Sequence, residues 1–554
     1  MLKFTLPDNS ELQLPVGSNL LTIAKLALNI ESPIVEATLD GVPIDLQTPL
    51  THGGKIKFLE MDTEEGMRIY QRTLVCMLVA TADKLYPGTR LEMRGTLGSA
   101  LYIADKSAKP LGYRDWQKVE EAMRDFVNAK EPLRLYYLPC EKAWEIAVAN
   151  GADESEAMML KRLPEGTQVP MYNFIGHDSY YFGSLCPDAG YVPLFEVIPY
   201  GKGVVLNYPD VGNYKELLPF EDQPLLQDAF EQAEEWSQLV GCNTLAKLNH
   251  LIETGKANRM ILMSEAWQRR KLAKIADMVA ERSKDLKLIL IAGPSSSGKT
   301  STAQRLSIQL AVDGLKPLAI SMDDYYVNRV DTPKKENGEY DYECIEAIDI
   351  PLFNEHLNKL MAGEEVELPK YNFKKGEREY RGNRVKMQEN SVLIVEGIHG
   401  LNEKLTASIP AEKKLKIYVS ALTPMSINGN TRINTTNVRL LRRMVRDNQF
   451  RGHDAKKTLA KWADVREGEN KYIFPFQGAA DVIFNSTLIY ELAVLKRYAE
   501  PLLRDVTEDD GDIYTLAQKL LVLLSFVESV DEDFIPNDSI IKEFIGGSVF
   551  KEAL

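Results

Sequence analysis

Four residues at fixed spacing, Gly293, Gly298, Lys299 and Thr300, lie within AGPSSSGKTSTAQRL (292–306) and fit G-x-x-x-x-G-K-[ST]. The apolar run LKLILI precedes them, and Leu306 and Leu310 continue at helical spacing. A strand ending near Ile291 and a helix starting near Lys299 need a tight turn between them. That turn aims several backbone N–H groups inward at the positive end of a helix, which makes an anion nest. The expected nucleotide-phosphate site is Gly293, Pro294, Ser295, Ser296, Ser297, Gly298, Lys299, Thr300 and Ser301. Lys299 is placed to reach the terminal phosphates and the Thr300 hydroxyl to ligate Mg2+.

A phosphate loop does not choose among an ATPase, a switch and a kinase. The ends of neighbouring strands do, because ligands of open α/β sheets sit there. AISMDDYY places Asp323 and Asp324 past one strand, and LIVEGIHG places Glu396 past another. LRRMVRDNQFRG supplies Arg442, Arg443, Arg446 and Arg451. One carboxylate can deprotonate an attacking hydroxyl, a second can help hold Mg2+, and arginines can neutralise the transferred group. Asp323 and Asp324 could instead cap a helix. The arginines could form a solvated helix face, although Arg439, Arg442, Arg443 and Arg446 follow helical spacing without interleaved acids. His399 reads equally as a structural hydrogen-bonding group or a reactant.

The elements that must position these groups follow from periodicity. From residue 286, LKLILIAG, PLAISMDD, SVLIVEGIHG, KLKIYVSA and ADVIFNST alternate with helical stretches, which predicts a mainly parallel sheet buried on both faces. Residues 1–60 suggest a β-grasp unit, with hairpins at Asp8-Asn9 and Asp40-Gly41, a helix in NLLTIAKLAL and a closing strand GKIKFLE. Residues 61–235 read as α+β, with helices in EEGMRIYQRTLVCMLVATADKLYPG and WQKVEEAMRDFVNAKEPL and strands in DSYYFGSL and GVVLNYP. Residues 236–285 form a helical connector, 286–500 the nucleotide-binding domain and 501–554 a helical tail. The chain of 554 residues carries a net charge of −14 and five dispersed cysteines without a C-x-x-C pair. That composition argues against a broadly basic nucleic-acid binder and against a disulfide framework. No signal peptide and no run long enough to cross a membrane are apparent, so a cytoplasmic protein is expected.

The C-terminal half resembles the uridine kinase and phosphoribulokinase family. The resemblance runs from the phosphate loop through SMDDYY, YDYECIEAID, LPKYNF, VEGI and RLLRRMVRDNQFRGHD to ADVIFN, about 200 residues in order. It implies ATP and Mg2+, with Asp323 as base and Lys299, Arg443 and Arg446 as further catalytic groups. It implies metal ligation by Thr300, Glu396 and Asp323. On the acceptor side it implies Glu343 on the ribose hydroxyls, Tyr371 packed on the substrate, and contacts from Arg378, Arg443 and Arg451. The sequence departs from the pattern at three places. Glu343 replaces the usual aspartate, Gly376 a base-reading histidine and His453 an arginine of the lid. The expected consequence is a kinase that demands ribose but tolerates several bases, unless Lys374, Lys375 or Arg378 restores a contact.

The front half resembles the start of threonyl-tRNA synthetase, its TGS domain and the beginning of its editing domain, most closely in FTLPDNS and in EEG followed by LYPGT. The metal ligands of that editing domain fall on Arg72, Cys76, Cys186 and Gly190, too few donors for a zinc site. This half is therefore expected to bind or regulate. RNA or a nucleotide is one expected ligand; a scaffold for homo-oligomerisation or for covering the kinase is the alternative. The sequence supports phosphorylation of a nucleoside 5′-hydroxyl, with uridine or cytidine as first candidates. The other readings are a kinase of another small hydroxyl substrate such as a sugar phosphate, and an RNA-responsive, nucleotide-gated regulator.

Overall fold

The computed structural model describes residues 1–26, 32–150, 159–160, 162–336, 338–428 and 431–550. The chain opens with β1 (Leu2–Thr5), β2 (Glu11–Leu14), α1 (Leu21–Leu26), β3 (Ile34–Leu39), β4 (Val42–Ile44) and β5 (Gly54–Glu60). These strands pair in the order β2-β1-β5-β3-β4, with β1 and β5 parallel. Turn chemistry sets the two hairpins. Asn9, Asp40 and Gly41 have φ of 64°, 51° and 79°, a region that Asn, Asp and Gly tolerate. The last residues of the helical stretch expected in NLLTIAKLAL lie outside the described residues.

The next segment starts with α2 (Glu64–Leu85), whose N-terminus is capped by Thr63 accepting from the Gly66 N–H. Two antiparallel sheets follow around it. They contain β6 (Leu91–Leu97), β7 (Ala100–Asp105), α3 (Tyr113–Ala129), β8 (Arg134–Pro139), α4 (Cys140–Ala149), β9 (Gln168–Phe174), β10 (His177–Tyr180), β11 (Glu196–Tyr200) and β12 (Gly203–Asn207). The sheet orders are β10-β9-β8 and β11-β12-β7-β6. Helices α5 (Pro224–Val240), α6 (Leu245–Glu253) and α7 (Ala257–Glu281) then lead to the nucleotide-binding strand, broken at Gly241 and Gly255. Among the described residues no helix is long and apolar enough to cross a membrane.

The C-terminal half is built on β13 (Leu288–Ala292), α8 (Lys299–Val312), β14 (Lys316–Ser321), α9 (Ile350–Met361), β15 (Glu365–Asn372), β16 (Glu377–Lys386), β17 (Ser391–Glu396) and β18 (Lys414–Ser420). It continues through β19 (Ser426–Asn428), β20 (Thr431–Arg432), α10 (Thr435–Arg451), α11 (Ala455–Ala460), α12 (Trp462–Tyr472) and β21 (Val482–Asn485). Helices α13 (Glu491–Arg504), α14 (Asp512–Ser525) and α15 (Lys542–Ile545) close it. Five strands pair in parallel in the order β14-β17-β13-β18-β21. All five residues of central β13 are buried, which explains its unbroken apolar run. The tail is more than an appendage. Ile540, Ile541 and Phe544 are buried, and a methyl of Ile540 packs at the phosphate loop, 2.9 Å from where a Cβ on Gly298 would stand.

Candidate active site

The turn between β13 and α8 has the shape its sequence requires. A Cβ on Gly293 would lie 2.0 Å from the Val419 carbonyl oxygen and 2.9 Å from Ser297 Oγ, so no side chain fits there. Gly298 has φ of 86° and Ser296 of 57°, which turns the backbone sharply before the helix. The Oγ atoms of Ser296 and Ser297 and the Thr302 hydroxyl are buried without a hydrogen-bond partner among the described residues. Lys299 Nζ folds back onto the Gly293 and Pro294 carbonyls at 3.0 and 3.3 Å. Pro294 is buried and Thr300 is exposed at the mouth of the loop. The Ser301 N–H donates to Glu543 of α15 at 3.2 Å.

Asp323 and Glu396 stand at the carboxyl ends of adjacent strands, just past β14 and at the end of β17. Asp323 accepts no hydrogen bond and makes no ion pair among the described residues. Its carboxylate is reachable by water yet ringed by protein. That crowding raises its pKa, Lys299 pulls it down, and Asp324 pushes it up again. Glu396 is raised to about 7 by burial and by Asp323, against Lys299 and a 3.2 Å hydrogen bond from Ser321. Asp324 is not a helix cap. It accepts from the Tyr371 N–H at 3.1 Å and from Lys370 Nζ at 3.3 Å, fastening β15 beside the site. Among the described residues no three His, Cys, Asp or Glu side chains converge on one point. Mg2+ is ordinarily held by one or two protein oxygens with phosphate oxygens and water, a role that Thr300, Asp323 and Glu396 fit. The buried, unpartnered serine hydroxyls suit the accompanying phosphates.

Helix α10 divides its arginines between two tasks. Arg439 and Arg442 are buried, paired with Glu469 and Glu491, and brace the loop through the Ser295 and Ser296 carbonyls. Arg442 is therefore a structural residue, which corrects the sequence reading. Arg443, Arg446 and Arg451 all pair with one buried carboxylate, Asp447, at 3.4, 2.9 and 3.3 Å. Arg443 also donates to Ser295 Oγ at 2.6 Å. The face thus does carry an acid, at i+4 from Arg443 and i−4 from Arg451, a spacing the sequence contained. Glu469 accepts from the Ser295 N–H at 2.8 Å, and nothing local in the sequence announces it.

On the acceptor side, the Glu343 carboxylate has no hydrogen-bond or ion-pair partner among the described residues, while its backbone N–H donates to Asp341 at 3.1 Å. Burial raises its pKa, Arg443 opposes that, and Asp323 adds to it. Tyr371 is buried, with its ring 5.6 Å from Tyr326 and 5.1 Å from Phe373, and its hydroxyl lacks a hydrogen-bond partner among the described residues. Arg378 is turned to Asp349, the cap of α9, at 2.8 Å, and Lys375 to Glu379 at 2.9 Å. His399 is buried and pushed down to about 4 by that burial, so it is neutral at physiological pH. In the front half Cys76 and Cys186 are buried thiols, each pushed up to about 12. Arg72 donates to the Ser184 carbonyl and pairs with Glu65, and Gly190 lies in a short helical turn.

A phosphate loop on a parallel sheet, facing free carboxylates and a ring of arginines, defines a P-loop phosphotransferase. The family described as phosphoribulokinase / uridine kinase matches residues 288–492. Uridine kinase from Bacillus pumilus (strain SAFR-032) is 32% identical over 197 residues, 35% of this chain and 84% of that protein. The chain belongs to the phosphoribulokinase / uridine kinase family. Its front part is similar to threonine–tRNA ligase from Thermus thermophilus, 27% identical over 201 residues, 34% of this chain. The match spans only 30% of the length of that ligase. A solved structure of a possible uridine kinase from Bacillus stearothermophilus covers 39% of this chain and 100% of its own, at 18% identity and a TM-score of 0.24.

Proposed function

We propose that the chain phosphorylates the 5′-hydroxyl of a nucleoside at the expense of ATP. The observation that carries this reading is the pair of unpartnered carboxylates, Asp323 and Glu343, both within electrostatic reach of Lys299. A nucleotide-gated switch has no need of a second free carboxylate on the acceptor side. The acceptor hydroxyl gives its proton to Asp323 as its oxygen bonds the γ-phosphorus, and the bond to the departing ADP breaks. Bound Mg2+–ATP supplies the phosphoryl group and the cation that screens its charge. Arg443, Arg446 and Arg451, held together by Asp447, neutralise the transferred group, while Glu343 takes the ribose hydroxyls and Tyr371 packs on the acceptor.

The front half is read as a β-grasp and editing-like module without metal chemistry. The ties between the halves support a role in covering the kinase more than one in binding RNA. Arg466 of α12 reaches Glu64 at 3.4 Å, and Thr515 of α14 donates to the Gly41 carbonyl at 2.7 Å. The test is product formation from ATP with a panel of nucleosides and sugar phosphates, resolved by mass. A phosphorylated nucleoside supports the reading; phosphorylation of sugar phosphates alone overturns it.

A further inference from the structure

On the acceptor side stands a cation, Arg329, that no carboxylate among the described residues balances. Arg329 follows Asp323 by six residues, is half-buried, and makes no ion pair among the described residues. Its Nε donates to the Tyr342 hydroxyl at 3.2 Å and its Nη2 to the Phe373 carbonyl at 2.7 Å, while Nη1 has no partner there. The neighbouring arginines are all paired, Arg378 with Asp349 and Arg443, Arg446 and Arg451 with Asp447. The position of Arg329 is built into the backbone. Its N–H donates to the Gly376 carbonyl at 2.8 Å, and a Cβ on Gly376 would meet its Cβ, Nε and Cζ at 2.8–2.9 Å. Gly376 has φ of 77°, so the residue that lets the guanidinium through is also one that only glycine adopts freely. Through Tyr342 and Phe373 it is tied to a cluster of rings, Tyr326, Tyr342, Tyr371 and the exposed Phe373, whose centroids lie 5.1–6.3 Å apart. Tyr326 lies within electrostatic reach of both Asp323 and Glu343, so this cluster adjoins the reacting end of the site.

We infer that Arg329 reads the carbonyl at C4 of a pyrimidine or C6 of a purine on the acceptor, the position where cytosine and adenine carry an amine, so that the enzyme selects oxo bases over amino bases. A guanidinium only donates. Presented with an oxygen acceptor it forms a charge-assisted hydrogen bond; presented with an exocyclic amine it meets donor with donor. The exposed ring of Phe373 at the edge of that cluster suits a planar base, whereas a sugar phosphate has no ring to stack on it. The inference rests on the nucleoside reading above. It replaces the expectation of broad base tolerance, because the space opposite Gly376 is filled by Arg329. The experiment compares kcat/KM for uridine against cytidine and inosine against adenosine, with ribulose 5-phosphate alongside, in wild type, Arg329→Met and Arg329→Lys. Wild type should favour each oxo base by about 10- to 100-fold, the scale of one good base contact. Arg329→Met should bring both ratios close to one through a higher KM for uridine and inosine, with kcat at saturation nearly kept. Arg329→Lys should retain part of the preference. Wild type using cytidine and adenosine as well as their oxo partners overturns the inference while leaving a nucleoside kinase. Unchanged ratios in an active Arg329→Met enzyme overturn it too. Turnover of ribulose 5-phosphate alone removes the nucleoside reading and this inference with it.

Discussion

At the scale of single residues, the two carboxylates after β14 differ in what already holds them. Asp324 is tied to the Tyr371 N–H and to Lys370, whereas Asp323 is unpartnered. Asp323→Asn should lower kcat by about 10²–10⁴-fold, the usual scale for a general base, and Asp324→Asn far less; steady-state kinetics of both variants decides it. Among the described residues Lys299 Nζ donates to two loop carbonyls and pairs with no carboxylate, so Lys299→Ala should abolish most turnover while the nucleotide-free melting temperature stays near wild type. Glu396 offers a pH signature. Its pKa is raised to about 7 in the folded chain, above its unfolded value, so between those values the folded state holds a proton the unfolded state has lost. Stability from this group is complete at low pH and falls as pH rises through about 7. Melting temperatures of nucleotide-free wild type and Glu396→Gln between about pH 5 and pH 8 should therefore converge at the acid end. The variant should gain on wild type at the alkaline end.

At the scale of elements, most of the frame was legible because it rests on local rules. The five apolar stretches read as strands are the five members of the parallel sheet, and Gly241 and Gly255 break the connector helices where expected. The phosphate loop was legible for the same reason, since Gly293 and Gly298 answer to backbone geometry. What escaped depends on tertiary approach. Glu469 and Glu543 come to the loop from helices 170 or more residues away in sequence, and Glu491 reaches it through Arg442; no periodicity announces such meetings. Arg329 escaped because the gap left by Gly376 reads in sequence as an empty place. Strand β16 of the β15–β16 hairpin, with Gly382 inside it, is mostly exposed and charged, so it lacks the alternation that marks a half-buried strand. The cluster on α10 gives the prediction for this scale. Asp447 is 2% exposed and answers three arginines that are 16–52% exposed. Asp447→Asn should cost about 2–3 kcal/mol by chemical denaturation, less than the 3–5 of a fully buried pair because the arginines keep some water. It should also raise KM for ATP, since three like charges would no longer share an anchor.

At the scale of the whole molecule, the late position of the kinase makes sense through a junction that gathers three distant segments. Lys519 of α14 lies 3.3 Å from Glu65 at the start of α2 and 3.7 Å from Glu36 on β3. Burial raises the Glu36 carboxyl and Lys519 holds it down, while Arg72, Lys519 and Arg68 together overcome burial at Glu65 and bring it to about 2. Helix α14 thus supplies part of the charge that lets two carboxylates sit together between the front sheet and α2. Lys519→Met keeps the length and apolar stem of the side chain and removes only the charge. At neutral pH it should destabilise the chain by about 2 kcal/mol, discounted because Lys519 is 30% exposed. The sign of the pH dependence follows from Glu36. Without the lysine its folded pKa rises further above the unfolded value, so the penalty is largest at neutral pH and shrinks as acid protonates the carboxyl. Glu65 behaves oppositely. Its depressed pKa gives stability that is present above its unfolded value and lost only as pH falls toward about 2, so it does not reverse the trend above about pH 4. Calorimetry of wild type and Lys519→Met at about pH 5 and pH 7.5 tests both points. One cooperative transition moving down as a whole at pH 7.5, and less at pH 5, fits a front half locked to the kinase. Two transitions, of which only the one belonging to the front half moves, would mean that the halves fold independently and that the lysine is a local tie.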